Sequence, residues 1–304
     1  MIHEAVLPIT NNNVERRNVE RASLLLKSLS YFWNGSTPLT LRIVVPDAEL
    51  ADVRGRLGAD HGPKLSVVYI RESNLDPKIA NIGGDLGYAK QMLIKLAHAG
   101  CAVEDNYLVL DSDCVACKPF DERTFWHEGR VVTQWAAPTL GEWWVESAGV
   151  LGWELDSGFF NEVKMHVTPQ VLNRGIVAGL TDYLTRQRFA GKHWIDGLME
   201  RYTGDHPRIW TEYTLYHLYA ARTDLLYKVY TPNKEIPPER ALHCAAQNIW
   251  GPADLAHWSP ERALSVDPGH FMVLQSITAE SVDFARIRDR WLAAARAAHP
   301  DYPA

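Results

Sequence analysis

Two carboxylates set two positions apart at the end of an apolar run are the residues best placed to do chemistry in this chain. Tyr107-Leu-Val-Leu110 leads directly into Asp111-Ser112-Asp113. The apolar run reads as a buried strand of a parallel sheet. Along a strand, residues i and i+2 project to the same side, so Asp111 and Asp113 can offer oxygens to one hard divalent cation. Open parallel sheets bind ligands outside the carboxyl ends of their strands. Carboxylates beside an open metal position at that edge suit a ligand that brings its own phosphates. The plain alternative is a solvated turn closing a strand.

A helix precedes this strand and reads Gly87-Tyr-Ala-Lys-Gln-Met-Leu-Ile-Lys-Leu96. Leu86, Ala89, Leu93 and Leu96 make its apolar stripe, and Lys90 and Gln91 lie beside that stripe near the helix start. A lysine there opposes the helix macrodipole. It is less surprising if an anion such as a diphosphate sits at that end. Lys95, further along, reads as a solvated surface lysine.

The elements that must position these groups alternate over the first 136 residues. Strands are expected at Glu4–Ile9, Leu41–Val45, Leu65–Ile70 and Tyr107–Leu110, with a fifth at Arg130–Gln134. The first ends in Thr10-Asn-Asn-Asn13, a turn of residues that bond backbone or ligand. Helices are expected at Val14–Tyr31, Ala48–Leu57 and Leu86–Ala99, with Gly83-Gly84 breaking the chain before the last. Strands alternating with helices predict an α/β fold with a mostly parallel, doubly wound sheet. After Trp135 the pattern turns irregular, with helices expected at Pro169–Phe189, Trp194–Tyr202, Glu212–Thr223 and Glu280–Ala298. Late strands are expected at Leu226–Tyr230 and Phe271–Gln275. There is no internal repeat or long linker. Residues 1–136 and 137–304 therefore read as a ligand-binding half and a helix-rich half packed on one sheet.

Composition bounds the function. The chain has 304 residues, 46% apolar and 22% charged, as in an ordinary soluble globular protein. A net charge of −6 argues against a general nucleic-acid binder. No apolar run is long enough to span a bilayer, and the first residues do not read as a signal peptide, so cytoplasmic residence is the expectation. Four cysteines are too few for a disulfide scaffold of this size. Eleven tryptophans and twelve tyrosines supply platforms for flat ligand faces such as sugars. Trp143 and Trp144 are adjacent, and neighbouring side chains cannot both face the core of a strand. They are the candidate acceptor-binding residues.

The helix Tyr-Ala-Lys followed by a strand ending Leu-Asp-Ser-Asp resembles the nucleotide-sugar-dependent glycosyltransferases of the GT-A fold. The chain is most similar to the glycogenin and bacterial lipopolysaccharide galactosyltransferase group, and to a little-characterised bacterial GT-A-like family sharing the Gln-Met-Leu-Ile-Lys-Leu helix. The match is strongest over roughly residues 80 to 120 and looser from Ile2 to about Gln275. The resemblance implies a GT-A-like, Rossmann-related sheet and a hexosyltransferase working with Mn²⁺ or Mg²⁺. Asp113 would bind the metal, and Asp111 both metal and nucleotide ribose, with Ser112 between them. Lys90 and Gln91 would face the sugar diphosphate, while Pro8, Ile9 and Thr10 would line the base and ribose pocket. Ala148-Gly149-Val-Leu151 resembles the small-residue segment lining the sugar pocket. Trp210-Thr-Glu-Tyr resembles a helix start that brings Glu212 beneath the reacting sugar. A late histidine would complete the metal site, His243 in preference to His270. A UDP-hexose is the first donor expected and GDP-mannose the second, with a saccharide or glycoconjugate acceptor, as in polysaccharide biosynthesis. Inversion or retention and any homo-oligomer stay open.

Two rival readings remain. Asp111-Ser-Asp-Cys-Val115 fits the nucleophile motif of haloacid-dehalogenase-like phosphatases, with Asp111 attacking phosphate. About a hundred residues precede it, however, and no later strand ends in paired acids. A non-catalytic carbohydrate-binding protein is the other. Cys114 and Cys117 lack a second cysteine pair and read as small buried residues.

Overall fold

The computed structural model describes residues 1–11, 17–83, 86–136, 141–205, 208–275 and 283–303. The expected helix start at Val14, the turn residues Asn12 and Asn13, Gly84, the boundary at 137 and the helix start at Glu280 lie outside the described residues. A five-stranded sheet organises the chain. Its strands are β1 (Glu4–Pro8), β2 (Leu39–Val45), β3 (Leu65–Arg71), β4 (Asn106–Val109) and β10 (Gln170–Asn173), in the spatial order β10-β4-β1-β2-β3. The first four run parallel, and β10 pairs antiparallel with β4. All residues of β1 and β4 are buried, whereas β3 alternates toward solvent as an edge strand does. The fold is thus α/β with a mostly parallel sheet flanked by helices.

From β1 the chain moves through α1 (Asn18–Phe32) to β2, then through α2 (Leu50–Leu57) to β3. It returns through the short helices α3 (Glu72–Leu75) and α4 (Pro77–Ala80) and through α5 (Gly87–Ala97) to β4, on the other side of β1. The strand order therefore reverses between β1 and β4. A crevice at the carboxyl ends of those two strands is the place where such sheets bind ligands.

Beyond β4 the pieces are small. Strand β5 (Cys114–Ala116) pairs antiparallel with β11 (Phe271–Val273). Strands β6 (Trp126–His127) and β7 (Arg130–Val131) form one hairpin, and β8 (Trp135–Ala136) pairs with β9 (Lys164–Met165). The helices are α6 (Gly141–Leu151), α7 (Arg174–Tyr183), α8 (Trp194–Glu200), α9 (Glu212–Arg222), α10 (Leu226–Val229), α11 (Pro260–Ser265) and α12 (Phe284–Ala298). One hydrophobic cluster reaches from Ile2 to Tyr302.

Three expectations are corrected. Arg130–Gln134 is not the fifth strand of the main sheet, because only Arg130–Val131 is extended and it pairs with its own hairpin partner. That place belongs to Gln170–Asn173, and the helix expected from Pro169 starts only at Arg174. Asn173 sets the boundary, since its side chain accepts a hydrogen bond from the Ile176 N–H and caps α7. Leu226–Val229 is one turn of helix, not a strand. Of that stretch only Tyr230 is extended, in a single parallel bridge to Val131.

Candidate functional site

Asp111 stands at the reversal point. Ala5 and Val6 of β1 pair with Leu108 and Val109 of β4, and continuing that register sets Asp111 level with Pro8. On its other side, Gln170 of β10 pairs with Val109, so antiparallel register brings Thr168 level with Asp111. The Thr168 hydroxyl donates a hydrogen bond to Asp111 Oδ2. Asp111-Ser112-Asp113 is a turn, closed by the Cys114 N–H donating to the Asp111 carbonyl at 3.1 Å. Strand alternation therefore ends before it.

Asp111 faces a cation that the sequence reading placed in solvent. Lys95 is 2% exposed, and its ammonium lies 2.9 Å from Asp111 and 2.8 Å from Glu212. The expectation of a solvated Lys95 is corrected, and the reason lies in the helix. Met92 to Leu96 are all buried, so α5 is enclosed on every side near its end and has no solvent face for that lysine. Tyr107 of β4 donates its hydroxyl to the Lys95 carbonyl at 2.9 Å, fixing α5 against the strand that carries Asp111. Glu212 is the first residue of α9, whose start is capped by Thr211 and Thr214. An acidic residue is favoured in that first turn.

Electrostatics follow from one ammonium shared by two acids. Burial alone would depress the Lys95 pKa, but Asp111 and Glu212 hold it well above the ordinary lysine value. Burial raises Glu212, Lys95 opposes this, and the neighbouring Asp111 charge adds to the rise. Lys95 is thus held as a cation between the two acids. Asp113 looks elsewhere. Its charge supports Arg21 of α1, which burial would otherwise push further down. Arg21 in turn donates to the Leu274 carbonyl, and Leu274 N–H donates to the Asp113 carbonyl at 2.7 Å.

The remaining expected residues divide. Thr10 lies beside Gly87 at the start of α5 and donates its hydroxyl to Glu49 at 3.1 Å, with buried Ile9 before it. Lys90 pairs with Glu72 at 2.9 Å, so its ammonium is directed to α3 while Lys95 takes the two acids. Gln91 is half-buried on α5, and Ser112 is buried in the turn. Trp143 and Trp144 belong to helix α6, where their side chains part company. Trp144 is buried against Phe159 and His217, and Trp143 is half-exposed. Trp144 is therefore corrected from an acceptor platform to a core residue. Gly149 is on the exposed side of α6, while Ser147 on the other side binds the α9 cap through Thr214.

Neither histidine completes a metal site. His243 Nε2 lies 3.0 Å from the Thr168 carbonyl, and its Nδ1 lies 3.2 Å from the Asn248 amide. With Nε2–H donating and Nδ1 accepting, no ring nitrogen is left for a cation. His270 is at the wrong end of β11. Its carbonyl accepts from Cys117 N–H, four residues along the chain from Asp113. Among the described residues, no group of three or more His, Cys, Asp or Glu side chains is arranged to hold a metal. Mg²⁺-type ions can nevertheless be held by one or two carboxylates with the rest supplied by substrate phosphate and water. Asp111 keeps such capacity, because its buried Oδ1 makes an ion pair but no hydrogen bond of good geometry. The residues present fit a cation shared with a phosphorylated ligand, and do not fit an all-protein cage.

The chain belongs to a family of unknown function. That family is DUF6492, and its profile matches residues 2–292. No curated protein matches the chain. Among solved structures, this DUF6492 chain is similar to mouse xyloside xylosyltransferase 1 in its apo form. The identity is 13%, the coverage 91% of this chain and 99% of that one, and the TM-score 0.48. It is also similar to the galactosyltransferase LgtC in complex with donor and acceptor sugar analogues. There the identity is 12%, the coverage 97% of this chain and 95% of that one, and the TM-score 0.47. Among the described residues, no helix is long and apolar enough to cross a membrane.

Proposed function

We propose that this protein is a glycosyltransferase that moves a hexose from a nucleotide-diphosphate sugar to a saccharide or glycoconjugate acceptor. The observation that carries this reading is Asp111 at the β1/β4 reversal, joined through buried Lys95 to Glu212. The resemblance of the α5–β4 sequence to nucleotide-sugar-dependent enzymes supports it. The donor's base and ribose would lie over Pro8, Ile9 and Thr10, and its diphosphate over the Asp111–Asp113 turn. UDP-hexose remains the first donor to test and GDP-mannose the second.

Asp111 and Asp113 would hold Mn²⁺ or Mg²⁺ together with the donor's phosphates. When bound, that cation would supply positive charge to the departing diphosphate. The chain's own residues do the positioning. Lys95 holds Asp111 and Glu212 in fixed rotamers from the inside. Glu212 is buried and ion-paired, which suits holding a sugar hydroxyl better than exchanging a proton with bulk water. Lys90 reaches the diphosphate only by leaving Glu72, so donor binding and release of that ion pair would be linked. Half-exposed Trp143 is left as the acceptor platform.

Thermal-shift screening of nucleotide sugars, with and without Mn²⁺, tests the donor, because ligand-linked stabilisation grows with the ratio of ligand concentration to Kd. A UDP- or GDP-sugar that raises Tm and is then consumed with an acceptor supports transfer. Binding without turnover over a broad acceptor panel would instead mark a carbohydrate-binding protein. Phosphate release from a generic phosphoester would mark a phosphatase.

A further inference from the structure

At the amino edge of the sheet, opposite the Asp111 turn, three titratable groups form a line. Glu4 opens β1, His98 follows α5, and Cys101 lies in the turn before β4. Cys101 Sγ is 3.4 Å from His98 Nδ1, and His98 Nε2 is 3.1 Å from Glu4 Oε1. His98 is fully buried and Glu4 nearly so, while Cys101 is exposed, in contrast to buried Cys114, Cys117 and Cys244. Glu4 is itself fixed, since Arg42 of β2 lies 2.7 Å from Oε1 and the Val103 N–H donates to Oε2 at 2.8 Å. The Tyr107 ring stands edge-on to His98, and Arg174 of α7 donates to the Ala102 carbonyl beside the thiol. Nucleophile, base and orienting carboxylate in hydrogen-bond sequence are the arrangement that activates a thiol.

We propose that Cys101 is a nucleophilic thiol activated by the Glu4–His98 pair, and that it forms mixed disulfides with low-molecular-weight disulfides. Cys101 Sγ gives its proton to His98 Nδ1, and the thiolate attacks one sulfur of the disulfide. The old S–S bond breaks as the new one forms, and the departing thiolate takes the proton back from His98. Cys101 is oxidised, and one equivalent of the small thiol is released. The imidazolium is stabilised by Glu4 through Nε2–H, so the ion pair forms without exposing a charge that lacks a partner. The direction of titration agrees. Burial works against ionisation of Cys101, but the hydrogen bond and charge of His98 bring its pKa below the ordinary thiol value. Burial likewise opposes protonation of His98, and Cys101 and Glu4 together raise its pKa. Such a lowered thiol pKa next to a protonated histidine is what makes a cysteine reactive.

Exposure alone would make Cys101 the first cysteine labelled, so the test is the pH profile. The full chain is treated with oxidised glutathione, and separately with iodoacetamide, from pH 6 to pH 9. The Cys101 peptide is followed by mass spectrometry beside an unstructured, end-blocked Ala-Cys-Ala peptide, whose thiol ionises near the ordinary ~8.5. The half-maximal rate is expected about one pH unit or more below that of the blocked peptide, with the mixed disulfide at Cys101. Folded His98→Gln is expected to return the profile to that of the blocked peptide. A wild-type profile coinciding with the blocked peptide overturns the proposal, and so does a folded His98→Gln with an unchanged profile. If His98→Gln does not fold, the wild-type comparison still decides.

Discussion

The Lys95 ammonium lies 2.8 Å from the Glu212 carboxylate, and neither side chain is more than 5% exposed. Breaking such a pair from one side leaves charge buried without compensation, which costs about 3–5 kcal/mol. Here the loss would strand two acids, Glu212 and Asp111. Lys95→Met is therefore expected to lower the urea midpoint strongly. The double variant Lys95→Met/Glu212→Gln is expected to recover part of the loss, because one stranded charge is gone. Equal midpoints for Lys95→Met and wild type would show that the cluster contributes nothing to folding.

Asp113 and Asp111 are assigned one cation through the donor's phosphates, although each already faces a protein cation. Transfer is expected to require Mn²⁺ or Mg²⁺ and to stop in chelator. Asp113→Asn is expected to reduce turnover on the order of 100-fold or more, as for other groups that stabilise developing charge. It should also abolish the Mn²⁺-dependent part of the donor thermal shift, a reading independent of turnover. Full activity of Asp113→Asn in chelator would remove the metal from the mechanism.

How far the sequence could be read depended on whether a residue's environment was local. Strands β1 and β4 declared themselves as apolar runs, because central parallel strands are buried on both faces, and β2 and β3 through the β-branched runs Ile-Val-Val and Val-Val-Tyr-Ile. Strand β10 did not, since four residues after a proline, the last of them the helix cap, carry too little pattern to separate from the helix. Asp111 and Glu212 were readable as acids at a strand end and a helix start. Lys95 was misplaced because its partners lie 16 and 117 residues away, and periodicity reports none of that distance. A local signal did exist, in the unbroken apolar run Met-Leu-Ile on one side and Leu-Ala on the other. Thr168 carried no signal, as only the register of β10 against β4 brings it to Asp111.

Acid should unfold this protein from a pH well above the carboxylate range. Burial depresses His217 and His243 to about 3 and His166 to about 4. The unfolded imidazoles titrate near their ordinary value, ~6.5. Below that pH the unfolded state binds protons that the folded state refuses, so stability is lost as pH falls from there toward the folded values. Each such histidine loses roughly 2 kcal/mol between pH 6.5 and pH 5. His98, whose pKa is raised, acts in the opposite sense, and its contribution is lost as pH rises through the folded value. Burial lowers His61 and His270 as well, and five described imidazoles against one leave a net fall, to be seen as a lower Tm at pH 5 than at pH 7. His217→Gln should flatten that slope, and a Tm unchanged between the two pH values contradicts the assignment.

Trp143 and Trp144 offer a separation of folding from recognition within two adjacent residues. Trp144 is buried with its ring 5.5 Å from Phe159 and 5.3 Å from His217, so Trp144→Ala opens a cavity. The expected cost is about 3–5 kcal/mol. Trp143 is half-exposed on the same helix, and Trp143→Ala should cost much less. If its indole is the acceptor platform, Trp143→Ala will raise the acceptor KM several-fold while leaving the donor thermal shift unchanged. An unchanged acceptor KM would take Trp143 out of recognition, and an altered donor shift would move it from the acceptor to the donor side of the crevice.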